Sequence, residues 1–357
     1  RQKPELVKIG SAIREILPST FYMRKDGKIF IGDDADEMQD KDPVGYVTAV
    51  KKDIHKDGFL PMDKERQIGR VELVSHLFRH IREFVKKNVP HFRDKDIDEC
   101  ILTVPVIFSP PQREAIRRAA EMGGFQKVLR PIEEPVAAAK AYLFETKHQG
   151  IDSVVVCDIG GGTTDFAVVK RHGDLLLPVS EVPTGGVRLG GDDLDERVIE
   201  YVEKKDPDKE QHQSLWQRVW NWRNSYKSKI RSFKETLSRK SEDEKFECRV
   251  NGKQLSFPRT WLDECVNQFA QELCDELEEY LKMVHEKLGK DNVPILLAGG
   301  SSKLHGLEDK IKAIAGKSEV LTWQNSDYAI VLGAALEGAP TVTKTAPALK
   351  NVSAVLS

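Results

Sequence analysis

The sequence predicts an α/β protein built in two lobes, and three observations carry that prediction. Residues 100–146 alternate strand-like and helix-like patterns, an order that lays strands in parallel and covers them with helices. Composition shifts at His148-Gln149-Gly150, which suggests a lobe boundary. Beyond it, VVVCDIGGGTTDFAVV (Val154 to Val169) reads as a β-hairpin around a glycine turn.

Residues 1–60 are expected to be β-rich and irregular, with PSTFYM and KIFIG joined by the turn Lys25-Asp26-Gly27. Periodicity through Leu73, Leu77, Ile81 and Phe84 predicts a helix within 64–89. A strand from Cys100 to Val106 follows. Ser109-Pro110-Pro111-Gln112 combines a capping box with proline at the first helical position, and Gly123-Gly124 stops that helix after Met122. A short strand, Lys127 to Ile132, leads into a helix from Glu134 to Thr146.

Past the boundary, strands are expected at Ser153 to Cys157, Asp165 to Lys170 and Leu175 to Val182. A glycine turn, Thr184-Gly185-Gly186, leads to Leu189-Gly190-Gly191 and a helix from Asp192 to Lys205, whose acidic start suits the helix dipole. Residues 206–258 form a polar, charge-dense insertion. Its basic segment, with Trp216, Trp220 and Trp222, would suit nucleic acid or an acidic partner. Interleaving at helical period is also what an amphipathic surface helix shows, so no nucleic-acid partner is favoured. An amphipathic helix over 260–288, a buried strand Val293 to Leu297, a helix His305 to Ala315 and a small-residue helix Asp327 to Leu336 complete the pattern. The tail beyond Pro340 reads as a linker or a loosely docked strand.

The 357 residues are 39% hydrophobic and 31% charged, ordinary for a soluble globular chain, and the net charge of −2 steers it toward neither nucleic acid nor membrane. No apolar run is long enough to span a bilayer, and RQKPELVKIG has no signal-peptide core, so no membrane partner is expected. Five cysteines, odd in number and without CxxC spacing, point to a reducing cytoplasm. His76 and His80 have metal-compatible spacing but no third ligand, and His305 reads as exposed. GxGxxG, GxxxxGK[ST] and GxSxG are absent.

Two glycines suffice for a tight hairpin turn. Gly160, Gly161 and Gly162, with Asp158 before them and Thr163, Thr164 and Asp165 after, suggest backbone amides left bare for a close approach. Successive amides form an anion-binding nest. An aspartate beside one repels bare phosphate but suits a magnesium phosphate. This turn is therefore read as a nucleotide phosphate loop. Gly299-Gly300-Ser301-Ser302 repeats the logic of strand, glycines and helix, and suits the ribose and adenine side. Glu134 either satisfies a helix N-terminus or orients a Mg²⁺-bound water; Glu133 beside it reads as structural.

With these segments in order, the chain resembles the nucleotide-binding domain of Hsp70 chaperones, of the actin/hexokinase/Hsp70 superfamily, from about Pro18 to Ala339. The matching segments are Ala49-Val50-Lys51-Lys52, TVPVIFSPPQREAIRRAAEMGG (103–124), LRPIEEPVAAAKAY (129–142), DIGGGTTDFAVV (158–169), LGGDDLD (189–195) and LLAGGSSKLHGL (296–307). The resemblance implies an actin-like, ribonuclease H-like ATPase fold, each lobe on a mixed five-stranded sheet with flanking helices. Lobe I would cover 1–149, lobe II 150–338 with the insertion at about 206–258, and 339–357 a tail. By resemblance Lys51 assists γ-phosphate hydrolysis, and Glu134 and Asp158 hold Mg²⁺ through its waters. Gly160, Gly161, Gly162 and Thr163 form the second phosphate loop. Gly190, Gly191, Lys234, Ser238, Gly299, Gly300, Ser301, Lys303 and Asp327 surround the rest of ATP or ADP, and Pro105 and Arg113 relay nucleotide state. J-domain-type and nucleotide-exchange co-chaperones and a separate substrate-binding domain are the implied partners.

The chain departs from that pattern in three places. No D-x-G-T-T loop occurs before residue 100, and with the Arg start this leads to the expectation that it precedes Arg1. In IRSFKETLS (230–238), Glu235 and Arg231 stand where the family has arginine and glutamate, and Lys303 where it has arginine. The peptide-binding domain and lid have no counterpart. The expectation is an Hsp70-like ATPase domain, with a non-catalytic nucleotide sensor or scaffold as the second reading and an actin-like filament protein as the third.

Overall fold

A computed structural model describes residues 16–205 apart from 40, 49, 61, 94, 148–149 and 174, then 230, 234, 245–250, 253–338 and 352–354, together with 4 and 6–9. The basic tryptophan segment and Arg231, Glu235 and Ser238 lie outside the described residues.

The first half opens with β1 (Phe21–Met23), β2 (Ile29–Ile31), α1 (Asp33–Asp36) and β3 (Tyr46–Val47), forming an antiparallel sheet in the order β2-β1-β3. The helix α2 (Arg70–Asn88) buries Leu73, Leu77, Ile81 and Val85, four residues apart, so Val85 takes the place expected of Phe84. It packs beside α3 (Pro110–Met122) over β4 (Glu99–Val104), and their side chains form one core. The α3 capping box is present: Gln112 Oε1 accepts from the Ser109 amide at 3.0 Å. The single strand expected at Lys127 to Ile132 is two, β5 (Lys127–Val128) and β6 (Ile132–Glu133). Both pair with β4 in parallel, in line along one edge. Pro131, which has no amide hydrogen, stands in the gap. The helix α4 (Glu134–Thr146) has the boundaries its sequence predicts.

The second half is built on β7 (Ser153–Ile159) and β8 (Thr164–His172), antiparallel from Ser153↔Lys170 to Ile159↔Thr164. The free edge of β8 carries β9 (Leu175–Pro178) at one end and β10 (Gly185–Val187) at the other. The Thr184-Gly185-Gly186 segment, expected as a turn, is thus largely strand, because Gly185 and Gly186 pair with Phe166 and Asp165. After α5 (Gly191–Lys205) come a hairpin of β11 (Lys245–Val250) and β12 (Lys253–Pro258) inside the charge-dense insertion, and α6 (Arg259–Leu288). The chain re-enters the sheet as β13 (Ile295–Ala298), parallel to β7. It continues through α7 (Leu307–Ile314), β14 (Val320–Leu321) parallel to β13, and α8 (Ala329–Gly338). With β9 and β10 sharing an edge, six strands fill five positions.

Strand alternation explains why helices cover both faces of this sheet. Val155, Cys157, Ile159, Phe166, Val168, Ile295 and Leu297 face α5 and α6. Val154, Val156, Val169, Leu296 and Ala298 face the other way, among Ala138, Ala139 and Tyr142 of α4 and Ala329 of α8. The middle of α4 carries Ala137, Ala138, Ala139 and Ala141, and α8 crosses it so closely that a Cβ on Gly333 would overlap the Ala137 carbonyl. Lys140 and Glu337 form an ion pair across the same crossing. Of the tail, β15 (Val352–Ala354) is described, lying parallel to β4 with Val352 opposite Cys100.

Candidate functional site

The glycine turn closes through Gly160, whose amide donates to the Thr163 carbonyl at 2.9 Å. The carbonyls of Gly160 and Gly161 accept from the amides of Gly191 (3.0 Å) and Asp192 (2.7 Å), at the start of α5. Ser301 Oγ donates to the Gly160 carbonyl at 3.1 Å. The turn therefore gives its carbonyls to the other two glycine segments. Among the described residues nothing accepts from the amides of Gly161, Gly162 and Thr163. Three successive bare amides are an anion nest.

The glycines divide into two kinds. A Cβ on Gly190 would overlap the Gly161 carbonyl, and one on Gly299 the Ile159 carbonyl. On Gly191 it would lie 2.6 Å from Ser301 Oγ and 3.0 Å from Lys234 Nζ. These three are small so that three backbone segments can touch. At Gly161 the nearest atom would be 3.7 Å away and at Gly300 nothing lies within 4 Å, so those two leave open space. The element after Gly299 is a 3-10 turn (Gly300–Lys303), and α7 starts only at Leu307, two residues later than expected. Lys234 is buried and holds the Gly191 carbonyl at 2.8 Å and Asp195 at 2.7 Å. Lys303 pairs with Asp327 at 2.7 Å and donates to the Gln324 carbonyl at 2.9 Å.

Beside the turn, Asp158 and Asp165 are directly opposite on β7 and β8, and Glu134 begins α4. All three are at least 95% buried. Lys51 Nζ meets Glu134 Oε1 at 2.8 Å. Burial, then the charges of Glu134 and Asp165, push the Asp158 carboxyl well above its ordinary range. Burial and Glu134 raise Asp165 to about 6, against the opposing hydrogen bonds from Thr163 and the Ile107 amide. Three carboxylates face one ammonium, and Asp158 Oδ1 is buried without a hydrogen-bond partner. Such a group fits a divalent cation, which would relieve the repulsion. Among the described residues no three ligands converge as a metal cage, so the donor set suits Mg²⁺ that keeps its waters. His76 and His80 form no such group, and the His305 side chain is half exposed, 4.0 Å from Asp263.

Pro105 follows β4, and the loop it opens is gripped from several sides. Asp165 Oδ1 accepts from the amides of Val106 (3.0 Å) and Ile107 (3.4 Å). Arg113 donates to the carbonyls of Phe108 (3.0 Å) and Val106 (3.3 Å), and pairs with Glu133 at 3.1 Å. Lys51 Nζ lies 5.7 Å from the centroid of the Phe108 ring. The sequence marks Asp165 only as part of the glycine turn and Glu133 as structural, so neither is expected to anchor the Pro105 loop. The signal for Asp165 was its place at the end of the glycine turn, opposite Asp158. Nothing local marks Glu133 for that role, since its partner is twenty residues away.

Comparison with known proteins agrees with this geometry. The family model described as Hsp70 protein matches residues 20–353. A similar curated protein is the chaperone protein DnaK of Thermoplasma acidophilum, 32% identical over 199 residues, which cover 56% of this chain and 30% of that relative. The match thus spans about a third of the relative's length. A model match over nearly the whole chain places it in the Hsp70 family, with its actin-like ATPase fold.

Proposed function

We propose that the chain binds Mg·ATP at this junction and hydrolyses it, as the ATPase domain of a chaperone. The observation that carries the reading is the pairing of three bare amides at Gly161–Thr163 with an orphaned, buried Asp158 oxygen next to them. One feature suits phosphate and the other a hydrated cation. Bound Mg²⁺ would neutralise charge developing on the phosphate oxygens. Asp158 and Glu134 would hold its water shell. Thr163 and the turn amides would fix the terminal phosphate, and Lys51, freed from Glu134, would face the same oxygens. Gly300 leaves room for the nucleoside, with Gly190, Gly191, Lys234, Gly299 and Ser301 supporting the wall. Lys303 and Asp327 would close its far side.

The output would be a change at the Pro105 loop, which both halves hold, biasing a two-state closure of the lobes. J-domain-type and exchange-factor partners and a substrate-binding domain would read that closure. Among the described residues Cys100, Cys157, Cys265 and Cys274 are buried and joined in no disulfide, which suits a reducing cytoplasm. No described helix is long and apolar enough to cross a membrane.

Calorimetry with ADP, with and without Mg²⁺, and Mg²⁺-dependent phosphate release test the reading. Thr163→Ala and Lys51→Ala are expected to abolish release, and unchanged release would remove both assignments. A second reading, binding without turnover, is supported by the Lys51–Glu134 pair at 2.8 Å: if it persists with nucleotide bound, neither group can act. Tight ADP binding with no phosphate release would select it.

A further inference from the structure

The strand-to-helix junction ahead of α4 carries two neighbouring glutamates with different partners. Glu133 is extended, with φ −69° and ψ 133°, and Glu134 is the first helical residue, so their side chains diverge. Glu134 reaches Lys51 at 2.8 Å, and Glu133 reaches Arg113 at 3.1 Å. Both cations border one residue, since Arg113 Nε donates to the Phe108 carbonyl at 3.0 Å and Lys51 lies over the Phe108 ring. Beyond them stand Glu134, Asp158 and Asp165, three carboxylates with one ammonium. That excess of negative charge attracts a second cation. A guanidinium, with its planar fork of donors, is well shaped to answer it.

We propose that Glu133 is a guard carboxylate: by holding the Arg113 guanidinium, it keeps that cation off Glu134 and leaves the acidic cluster open to Mg²⁺. The proposal rests on the Mg²⁺-nucleotide reading above. Glu133 is a positioning residue acting through Arg113. Its side chain and that of Arg113 are each 29% exposed, so water screens the pair and it adds little to stability. Its consequence lies in where the guanidinium points. The same guanidinium holds the Val106 carbonyl at 3.3 Å, and the Val106 amide holds Asp165 at 3.0 Å. A displaced Arg113 would therefore disturb the cluster directly and through the loop.

The test is a double-mutant cycle on the full chain, reading the Mg²⁺ concentration that half-saturates ADP binding by calorimetry. Glu133→Gln is expected to raise it by about three- to tenfold, with metal-free ADP affinity unchanged. Glu133→Asp should stay within about twofold of the starting protein, because it keeps the charge. Adding Arg113→Gln to Glu133→Gln should return the value part of the way, because the competing cation is gone although its hold on the Val106 carbonyl is lost with it. A Glu133→Gln protein with unchanged Mg²⁺ dependence overturns the proposal. So does a double variant as impaired as, or worse than, Glu133→Gln, which would assign Glu133 a role in local folding alone. If the starting protein binds no ADP under any condition, the nucleotide reading fails first and takes the guard with it. Mg²⁺-dependent binding that ignores Glu133 removes the guard alone.

Discussion

Thr163 donates to one oxygen of Asp165 at 3.1 Å, while the other oxygen accepts from the amides of Val106 and Ile107. One carboxylate thus joins the glycine turn of the second half to the Pro105 loop of the first. Its neighbours are acidic and its surroundings dry, and those two facts shape the predictions below.

Asp165 titrates near 6 in the folded protein against an ordinary 3.8, so between those values the native state binds protons more tightly than the unfolded one. Its contribution is therefore favourable at low pH and is lost as pH rises through about 6, a change of roughly 3 kcal/mol before solvent relaxation reduces it. Asp165→Asn is expected to remove this part of the pH dependence. Relative to the unsubstituted chain, the variant should gain stability between pH 4 and pH 7, read as the difference in urea midpoints. Parallel midpoint curves would show that Asp165 does not titrate there.

Lys51→Ala removes the cation facing Glu134, Asp158 and Asp165. We expect a loss of about 1–3 kcal/mol in urea unfolding at pH 7, because the buried carboxylates then repel one another uncompensated. Millimolar Mg²⁺ should recover part of it, and chelation should reverse the recovery. A variant as stable as the parent, and indifferent to Mg²⁺, would mean the cluster is already neutral.

Gly299 and Gly300 are adjacent and should behave oppositely. At Gly299, φ is +81° and a Cβ would also lie 2.7 Å from Asp158 Oδ1. Gly299→Ala should cost about 2–4 kcal/mol from strain and overpacking. Gly300→Ala meets nothing within 4 Å, so folding should be unaffected, while ADP affinity should fall about tenfold if nucleotide approaches there. Thermal unfolding and calorimetry on the pair separate the two roles.

Gly333→Ala places a methyl group into the Ala137 carbonyl where α8 crosses α4. The helices must separate, at a cost of about 2–3 kcal/mol. Because α4 begins at Glu134, metal-dependent ADP binding should weaken as well. Lost stability with intact binding would show that the crossing supports the fold without setting the site.

What the sequence determined by itself was local. Unbroken apolar runs specified β7, β8 and β13, because a strand buried on both faces admits little else. Ser109 and Gln112 specified the start of α3, and Pro135 with a run of alanines specified α4, since caps and helix propensity act within a few residues. The three glycines marked the nest because backbone amides are left bare only where no side chain intervenes. Tertiary structure decided whatever depends on partners far apart in the chain. It split the Lys127 to Ile132 strand about Pro131, turned Gly185 and Gly186 into an edge strand of β8, and laid β15 beside β4, because a strand needs a particular edge. It also separated two adjacent glutamates that read alike, giving Glu134 to Lys51 and Glu133 to Arg113. Composition and spacing identify a carboxylate, but only the fold supplies the cation it faces, because Coulomb attraction acts through space and not along the chain.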